Sequence, residues 1–479
     1  MLTLADVLEA LTAQRVDALQ PFAITSFCVD SRQCRPGSLF VALKGEQTDG
    51  HRYIADALQH GAQYVLAEHR GEETGDTGTY IDVSRPLSPV PSPLLFPVFV
   101  IAGNSLAAFQ QLAAWWRKKF PMQVVGVTGS VGKTITKETI VEVLAQKYRT
   151  FKNEGNLNSE TGLPLTLLSL AGTPQRAVLE MAMYDLGEIA KLAEIAQPRI
   201  GVVTNVGPSH LERLGTLERI AQAKSELPRA LPADGWAILN GDDPRVRAMQ
   251  DVTRAQVMFY GLDPANRLWA SDVEGLGLRG TRFQVHYGRE PALHVTIPLL
   301  GRHSVHTALA AAAVGLVDGL SWEEIVRGLR NVSGQLRLAA VAGINGATII
   351  DDSYNASPVS TIAALNLLHE LEGRKIGVLA DMLELGSFER EGHEMVGRRA
   401  ADVLDVLVGV GERARLIAQS ALDAGMDPQQ VFLRAQKAEA IDLLKTMLGP
   451  GDLVLIKGSR GMVMEDVVTA LAVHEHLRK

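Results

Sequence analysis

A short apolar strand that runs into a glycine-rich turn and then into a helix constrains this chain more than any other feature. Residues 126–134 read Gly-Val-Thr-Gly-Ser-Val-Gly-Lys-Thr, and they follow a β-branched run and precede helix-period sequence over 135–147. A strand, turn and helix in this order form a βα unit of a parallel sheet. Such sheets bind their ligands at the carboxyl ends of the strands.

The turn has the composition of a phosphate-binding loop. Backbone N–H groups at a helix amino terminus can cradle phosphates, Lys133 supplies a positive charge and the Thr134 hydroxyl suits Mg²⁺. Val127 stands where the strict pattern has its first glycine, but a Lys-Thr pair at the start of a helix favours nucleotide binding over a merely flexible turn. The predicted nucleotide-binding residues are Val127, Thr128, Gly129, Ser130, Val131, Gly132, Lys133 and Thr134.

Length and composition indicate a soluble protein with several domains. The chain has 479 residues, which at about 150 per domain suggests roughly three. Its 46% hydrophobic and 21% charged composition, with a formal charge of −7, excludes a disordered, collagen-like or strongly basic protein. Because no basic, aromatic-rich stripe is present, we expect no nucleic-acid partner.

The sequence predicts a cytoplasmic location. The first residues lack the basic and apolar regions of a secretory signal. The uncharged segment 86–116 is long enough to span a bilayer, but prolines interrupt its first half, so we expect no membrane insertion. Only Cys28 and Cys34 are present, and we expect both to be reduced.

The order of predicted elements indicates an α/β protein of three domains. Residues 1–97 read as a small α/β domain that ends in a Pro/Ser-rich linker, with strands predicted around 27–29, 39–43 and 64–67. Residues 98–333 read as a doubly wound domain around the phosphate loop, with an antiparallel appendage over 255–300 and an alanine-rich helix over about 304–317. Residues 334–479 alternate helices with strands and predict a second Rossmann-like domain, the strands lying at 348–350, 376–379, 406–408 and 453–456.

Three further candidates, Glu180, His210 and Lys224, lie near the carboxyl ends of predicted strands. Each alone has an ordinary explanation, because a lone glutamate is usually solvated, a lone histidine usually packs, and charged helix faces are common. At one sheet edge with the phosphate loop, however, a carboxylate and an imidazole can hold metal ions that bridge nucleotide and substrate.

Ordered motifs extend along nearly the whole chain. They lie at 30–32, 36–45, 49–51, 128–134, 156–164, 180–181, 204–206 with His210, 223–224, 351–356, 381–386 and 457–460. In this order they resemble the Mur ligases, the ATP-dependent amide ligases of peptidoglycan precursor synthesis. The absence of an Asp-Asn-Pro-Arg segment and the presence of Asp351-Asp-Ser-Tyr-Asn and Lys457-Gly-Ser-Arg favour the member that adds D-alanyl-D-alanine to UDP-N-acetylmuramoyl-tripeptide.

The resemblance implies an acyl-phosphate mechanism and a role for each matching residue. It implies a first domain for the UDP substrate, a central ATPase domain and a last domain that admits the amine. Catalysis would rest on Lys133, His210 and Lys224. One Mg²⁺ would be held by Thr134 and Glu180, and a second by His210 and Lys224, the latter carbamylated by CO₂. Asp352 would contact the ATP ribose, and the substrate residues would be Ser31, Arg32, Asn158, Tyr354 and Asn355.

Two departures from the family pattern concern the nucleotide. The family's Gly-x-His-Asn-x-x-Asn motif near the adenine reads Gly301-Arg-His-Ser-Val-His-Thr307, so hydroxyl residues replace both asparagines. The Gly-Arg pair before the last domain reads Gly334-Gln335, with Arg337 as a nearby substitute. A related ligase with another acceptor, or a catalytically weak nucleotide-binding regulator, therefore stay as alternatives. We expect the protein to be a monomer.

Overall fold

The fold is that of a computed structural model, which describes residues 2–45, 48–69, 78–91, 93–208, 211–332 and 339–473. Its strands are β1 (Ser26–Cys28), β2 (Ser38–Val41), β3 (Ala62–Ala67), β4 (Thr79–Asp82), β5 (Val98–Ile101), β6 (Gln123–Thr128), β7 (Thr150–Lys152), β8 (Arg176–Glu180), β9 (Ile200–Val203), β10 (Trp236–Asn240), β11 (Gln256–Gly261), β12 (Leu268–Gly275), β13 (Thr281–Tyr287), β14 (Leu293–Ile297), β15 (Ala339–Ala342), β16 (Thr348–Asp352), β17 (Lys375–Ala380), β18 (Val406–Val410), β19 (Val431–Arg434) and β20 (Leu453–Lys457).

Helices connect most of these strands, as the α/β prediction requires. They are α1 (Leu4–Thr12), α2 (Ile54–Gln59), α3 (Ser105–Arg117), α4 (Lys133–Leu144), α5 (Gly162–Leu168), α6 (Glu188–Ala196), α7 (Leu211–Leu214), α8 (Leu217–Ala230), α9 (Pro244–Arg247), α10 (Ser304–Val317), α11 (Trp322–Asn331), α12 (Pro358–Glu370), α13 (Glu389–Val403), α14 (Ala414–Asp423), α15 (Lys437–Met447) and α16 (Glu465–Leu471). None of the helices in the described ranges combines the length and apolarity needed to cross a membrane.

The chain folds into two compact units. The first comprises Met1–Val124, Arg149–Met181 and Ala190–Pro198, and the second comprises Val125–Tyr148, Ala182–Ile189 and Arg199–Lys479. The three domain ranges drawn from the sequence stay a prediction, and the boundary at 333/334 lies outside the described residues.

The first unit contains a five-stranded parallel sheet in the order β1-β2-β3-β5-β4. Strands β2, β3 and β5 are mostly buried, with Phe40, Val65 and Phe99 in one core cluster, whereas β1 and β4 are only partly buried. Strand β5 directly follows the expected boundary at residue 97 yet pairs with β3 and β4, so the first sheet extends past that point. The sequence had predicted neither β4 nor β5.

The two cysteines of the first unit correct an expectation. Cys28 and Cys34 form a disulfide with their Cα atoms 5.9 Å apart, so the prediction of two reduced thiols is wrong. They are six positions apart in sequence, and a short 3₁₀ turn, Ser31–Gln33, brings them together. Sequence spacing alone carried no signal for this pairing.

In the second unit, β6, β9, β10 and β11 lie side by side in parallel, and β12 extends this sheet. Strands β12, β13 and β14 then pair antiparallel, which confirms the predicted appendage. Strand β11 was expected in that appendage but pairs parallel to β10 instead. Helix α4, which follows the glycine-rich turn, packs against α10 and α11, and these contacts fix its position.

The second unit also contains a six-stranded sheet in the order β15-β16-β20-β17-β18-β19. All its strands run parallel except the edge strand β15, as expected for a Rossmann-like domain. The sequence had predicted four of these strands and missed the edge strands β15 and β19. The carboxyl ends of β16, β17 and β20 therefore meet at one edge of this sheet.

Candidate active site

The glycine-rich loop joins β6 to α4 in the second unit. Gly129 and Gly132 have φ values of +147° and +83°, which side chains rarely tolerate. A Cβ atom at Gly129 would also collide with the hydroxyl of Thr204. Helix α4 begins at Lys133, so the N–H groups of its first turn lie at the loop, as an anion site requires.

The residues that follow β9 hold this loop in place. Ser130 N–H donates to the Asn205 carbonyl at 2.9 Å, and Val131 N–H donates to Asn205 Oδ1 at 2.9 Å. The Thr204 hydroxyl donates to the Val131 carbonyl at 2.7 Å. The Thr204-Asn-Val motif thus holds the phosphate loop through hydrogen bonds to the loop's backbone. The sequence had not assigned this role.

Two lysines of the second unit lie within electrostatic reach of each other. Lys133 Nζ donates to the carbonyls of Gly129 and Ser130, at 2.9 and 3.3 Å, and so lies over the loop. Lys224 is buried on α8, and burial, together with the charge of Lys133, holds its pKa well below the ordinary lysine value. The neutral amine is therefore favoured at Lys224. His210 lies outside the described residues.

Glu180 lies in the first unit, at the carboxyl end of β8, and is buried. Asn158 Nδ2 donates to Glu180 Oε1 at 2.8 Å, and the Glu180 N–H donates to Asn153 Oδ1 at 2.9 Å. Among the described residues, Glu180 Oε2 has no hydrogen-bond partner. A buried carboxylate oxygen with no partner is costly unless a cation or donor binds it.

The two predicted UDP-site residues also lie in the first unit. Ser31 is buried in the short 3₁₀ turn after β1, whereas the Arg32 side chain is 81% exposed. Arg32 forms two hydrogen bonds to Asp30, at 2.9 and 2.7 Å, which lower the pKa of the Asp30 carboxyl. The guanidinium is thus oriented but accessible.

A buried ion pair lies at the carboxyl edge of the six-stranded sheet. Asp352 ends β16 and Lys457 ends β20, and the two residues face each other in the parallel register. Lys457 Nζ donates to Asp352 Oδ2 at 2.6 Å and to the Asn355 carbonyl at 2.8 Å. Breaking such a pair by removing one partner leaves an uncompensated buried charge. Lys457 was part of a recognised motif but had not been named as a site residue.

Three motifs of the last third of the chain converge at this ion pair. Arg460 N–H donates to Asn355 Oδ1 at 3.2 Å, and the Arg460 guanidinium lies 5.2 Å from the centre of the Tyr354 ring. Leu383 N–H donates to Ser459 Oγ at 2.8 Å. The segments 351–356, 381–386 and 457–460 therefore form one polar cluster, which includes the predicted residues Asp352, Tyr354 and Asn355.

The departures near the predicted adenine site have structural explanations. Ser304 is buried and its hydroxyl donates to the Gly301 carbonyl at 2.7 Å, where it helps to start α10, and Thr307 is buried as well. His303 is exposed at the surface, yet desolvation by the surrounding protein atoms lowers its pKa despite the nearby charge of Asp352. The second departure, Gln335 with Arg337, lies outside the described residues.

Comparison with family models identifies three consecutive matches along the chain. Residues 23–88 match the Mur ligase family catalytic domain, residues 127–315 the Mur ligase middle domain, and residues 336–460 the Mur ligase glutamate ligase domain. Their order agrees with the order of motifs in the sequence.

Similar proteins cover almost the full length. The UDP-N-acetylmuramoyl-tripeptide–D-alanyl-D-alanine ligase of Bacillus subtilis is 36% identical, over 94% of this chain and 93% of its own. The crystal structure of MurF from Acinetobacter baumannii gives a TM-score of 0.81 at 30% identity over 97% of both chains. MurF ligase from Thermotoga maritima, solved with ADP, gives 0.76 at 29% identity over 93% and 96% of the two chains. With these matches, and with the phosphate loop and the motifs of the family in place, the chain belongs to the Mur ligase family.

Proposed function

We propose that this ligase adds D-alanyl-D-alanine to UDP-N-acetylmuramoyl-tripeptide in peptidoglycan precursor synthesis. Membership of the Mur ligase family makes the chain an ATP-dependent ligase. The choice of the dipeptide rests on one observation, the convergence of the segments 351–356, 381–386 and 457–460 at the Asp352–Lys457 pair. The sequences of two of these segments, 351–356 and 457–460, favour the dipeptide-adding member, and the Bacillus subtilis relative carries that name.

The reaction begins with activation of the tripeptide's terminal carboxylate. A carboxylate oxygen attacks the γ-phosphorus of ATP, the bond from that phosphorus to the bridging oxygen breaks, and ADP leaves. The dipeptide's amine then attacks the acyl carbon and loses a proton, and phosphate departs. Lys133 lies over the phosphate loop, where its charge offsets the repulsion between carboxylate and polyphosphate. Backbone N–H groups at the start of α4 hold the phosphates.

The residues present fit bound Mg²⁺. Among the described residues, no group of three or more His, Cys, Asp or Glu side chains forms a metal site by itself. Magnesium, however, commonly takes one or two protein ligands and completes its shell with water and phosphate oxygens. The unpartnered Glu180 Oε2 and the hydroxyl of Thr134 are ligands of this kind. Bound Mg²⁺ would neutralise charge on the phosphates, and we propose two ions, with His210 and Lys224 serving the second.

Lys224 would bind a cation only after its side chain has become an anion. Burial lowers the pKa of its amine and so favours the neutral form, which can attack CO₂, forming an N–C bond and releasing a proton, so that the side chain becomes a carbamate anion. We therefore expect turnover to fall in buffer depleted of CO₂ and bicarbonate and to recover when bicarbonate is restored.

The remaining site residues are proposed as substrate contacts. The oriented, exposed Arg32 and the adjacent Ser31 would bind the UDP portion, and Asn158 would contact substrate while holding Glu180. Tyr354 and Asn355 would line the dipeptide pocket, and Asp352 would contact the ribose.

Phosphate release by the purified protein with Mg–ATP and the UDP-linked tripeptide, with and without D-alanyl-D-alanine, tests the proposal. We expect release that depends on both cosubstrates and a product heavier by the dipeptide less one water. Release with a different amine would favour a related ligase with another acceptor. ATP binding without amine-dependent release would favour the regulator.

A further inference from the structure

An arginine outside every recognised motif stacks on a tyrosine in the second unit. Arg213 lies on α7, and its guanidinium carbon is 5.3 Å from the centre of the Tyr184 ring, which is within the range of a cation–π contact. Tyr184 is 46% exposed, and Arg213 is exposed as well. The Tyr184 N–H donates to Glu188 Oε2 at 2.8 Å, which holds the backbone of the tyrosine. The pair thus presents an oriented guanidinium at an accessible surface.

Helix α7 lies directly against the segment 381–386. A Cβ atom at Gly386 would lie 2.9 Å from Glu212 Cα, and the Glu212 N–H approaches the Glu384 carbonyl at 3.5 Å. Glu384 is exposed, and its φ of +63° is in the left-handed region, which glutamate rarely adopts. Because such a conformation is costly, its presence suggests that the side chain has a function. Glu384 is therefore a candidate functional carboxylate beside α7.

The electrostatic surroundings of Tyr184 place these side chains in one region. Partial burial raises the pKa of the Tyr184 hydroxyl, the charge of Glu384 raises it further, and the charge of Arg213 lowers it. Glu188 and Tyr354 act on the same hydroxyl. Because Tyr354 is a proposed residue of the dipeptide pocket, an arginine and a glutamate of opposite charge lie beside that pocket.

The element that carries Arg213 also adjoins the proposed reaction centre. Helix α7 packs against α8, which bears Lys224. Before α7 in the chain, Gly207 exchanges two hydrogen bonds with the Ser130 hydroxyl of the phosphate loop, at 2.8 and 3.0 Å. In the proposed reaction, the third residue of the tripeptide bears the carboxylate that is activated. The side chain of that residue therefore extends from a point close to the phosphate loop and the dipeptide pocket.

The charges in this region match the end of one type of side chain. A lysine side chain ends in an ammonium group alone, whereas the side chain of a diamino dicarboxylic acid ends in an ammonium and a carboxylate on the same carbon. The Glu384 carboxylate can pair with the ammonium of either. Only the carboxylate distinguishes the two, and a guanidinium binds a carboxylate through two parallel, charge-assisted hydrogen bonds.

We propose that Arg213 selects the third residue of the tripeptide by binding a carboxylate at the far end of its side chain, while Glu384 binds the adjacent ammonium. The inference rests on the proposed ligase function, which leaves the identity of that residue open. It assigns a diamino dicarboxylic acid, and not lysine, to the third position, and it makes Arg213 a specificity-determining residue.

Two UDP-linked tripeptides, one ending in meso-diaminopimelate and one in L-lysine, test the assignment. Phosphate release by the full-length protein, with saturating Mg–ATP and D-alanyl-D-alanine, would give kcat/KM for each tripeptide. We expect the wild type to prefer the diaminopimelate substrate by about tenfold or more, since the lysine substrate leaves the guanidinium without its carboxylate.

Arg213→Ala should lower kcat/KM for the diaminopimelate substrate about tenfold and change that for the lysine substrate by less than about twofold. Arg213→Glu should reverse the preference, because the new carboxylate repels that of diaminopimelate and attracts the lysine ammonium. Loss of a merely structural contact would not cause such a reversal. Glu384→Gln should lower kcat/KM for both substrates and keep the preference. Arg219→Ala, at an exposed position in the first turn of α8, is the matched control and should behave like wild type.

The assignment would be overturned by a wild type that uses both substrates equally or prefers the lysine substrate. An Arg213→Ala protein that loses the same factor with both substrates would overturn it as well. If the wild type binds Mg–ATP but releases phosphate with neither tripeptide, the proposed ligase function is refuted, and the assignment with it.

Discussion

The surroundings of two lysines in the second unit favour opposite charge states. Lys133 lies over the phosphate loop, where a cation stabilises developing negative charge, whereas burial favours the neutral form of Lys224. The sequence identified both from their motifs, because a Lys-Thr pair after an apolar strand has few other uses. It could not show that Lys224 is buried, since burial depends on packing across the whole unit.

Replacing Lys133 tests its role in the reaction without changing the fold. We expect Lys133→Ala to abolish phosphate release and leave the circular dichroism spectrum unchanged, because its Nζ donates to two backbone carbonyls of the loop, those of Gly129 and Ser130, and not to the packed core. Lys191→Ala, at an exposed surface ion pair, should behave like wild type. Near-normal turnover by folded Lys133→Ala would remove the phosphate-loop mechanism.

His393 should make stability depend on pH. Its Nδ1–H donates to the Glu389 carbonyl at 2.6 Å and Nε2 accepts from Met382 N–H at 3.1 Å, an arrangement that needs the neutral ring. Burial lowers its pKa in the folded state, so the unfolded chain binds more protons below about pH 6.5. Stability is therefore present above that pH and is lost as the pH falls toward the lowered value.

The test compares thermal midpoints of wild type and His393→Gln between pH 7.5 and 5, values chosen to bracket about 6.5. The variant should be less stable at pH 7.5 but should lose less stability on acidification. Some dependence of the thermal midpoint on pH should persist, because desolvation lowers the pKa of His303 as well. If the thermal midpoint changed with pH identically in the two proteins, this role of His393 would be contradicted.

At the scale of the site, sequence patterns located residues better than they located their partners. Asp352, Tyr354 and Asn355 were recognised, but the Lys457 pair was not, because residues 105 positions apart meet only through the pairing of β16 with β20. Asn153 was missed for the same reason, since its contact with Glu180 depends on the pairing of β7 with β8.

Among the elements, long and strongly patterned ones were predicted and edge strands were missed. The helix predicted over 304–317 is present as α10, and the buried parallel strands appear where apolar runs predicted them. The edge strands β15 and β19 are short and only partly covered, so their sequences lack a continuous apolar run. The parallel pairing of β11 was missed because alternation in sequence does not reveal the direction of a partner strand.

The contact between α11 and α4 depends on one glycine. A Cβ atom at Gly328 would lie 2.5 Å from Val143 Cα, on the helix that begins with Lys133. Alanine normally stabilises a helix interior relative to glycine, but here we expect Gly328→Ala to destabilise the second unit by about 1–3 kcal/mol through overpacking.

Chemical denaturation would measure this effect, with Arg327→Ala on the same helix as the matched control. Arg327 is exposed and its ion pair with Glu323 is at the surface, so that change should stay within about 0.5 kcal/mol. A Gly328→Ala protein as stable as wild type would show that α11 moves away from α4 without cost.

At the scale of the molecule, two compact units predict more than one unfolding transition. Composition and motif order predicted several folded domains. They did not predict that the chain would pass from one unit to the other several times, as it does between 124 and 125 and again between 148 and 149. That interleaving follows from strand pairing between distant segments, which local sequence does not encode.

Nucleotide binding should stabilise the unit that holds the phosphate loop. Trp115 and Trp116 lie in the first unit, and the other tryptophans, Trp236, Trp269 and Trp322, lie in the second. In a protein with Trp115→Phe and Trp116→Phe, fluorescence therefore reports the second unit alone. Mg–ATP at about 100 times its dissociation constant should stabilise that transition by about 2.7 kcal/mol, because it binds the folded state. Adding Lys133→Ala should remove the shift, and a shift that survives this change would place the nucleotide away from the loop.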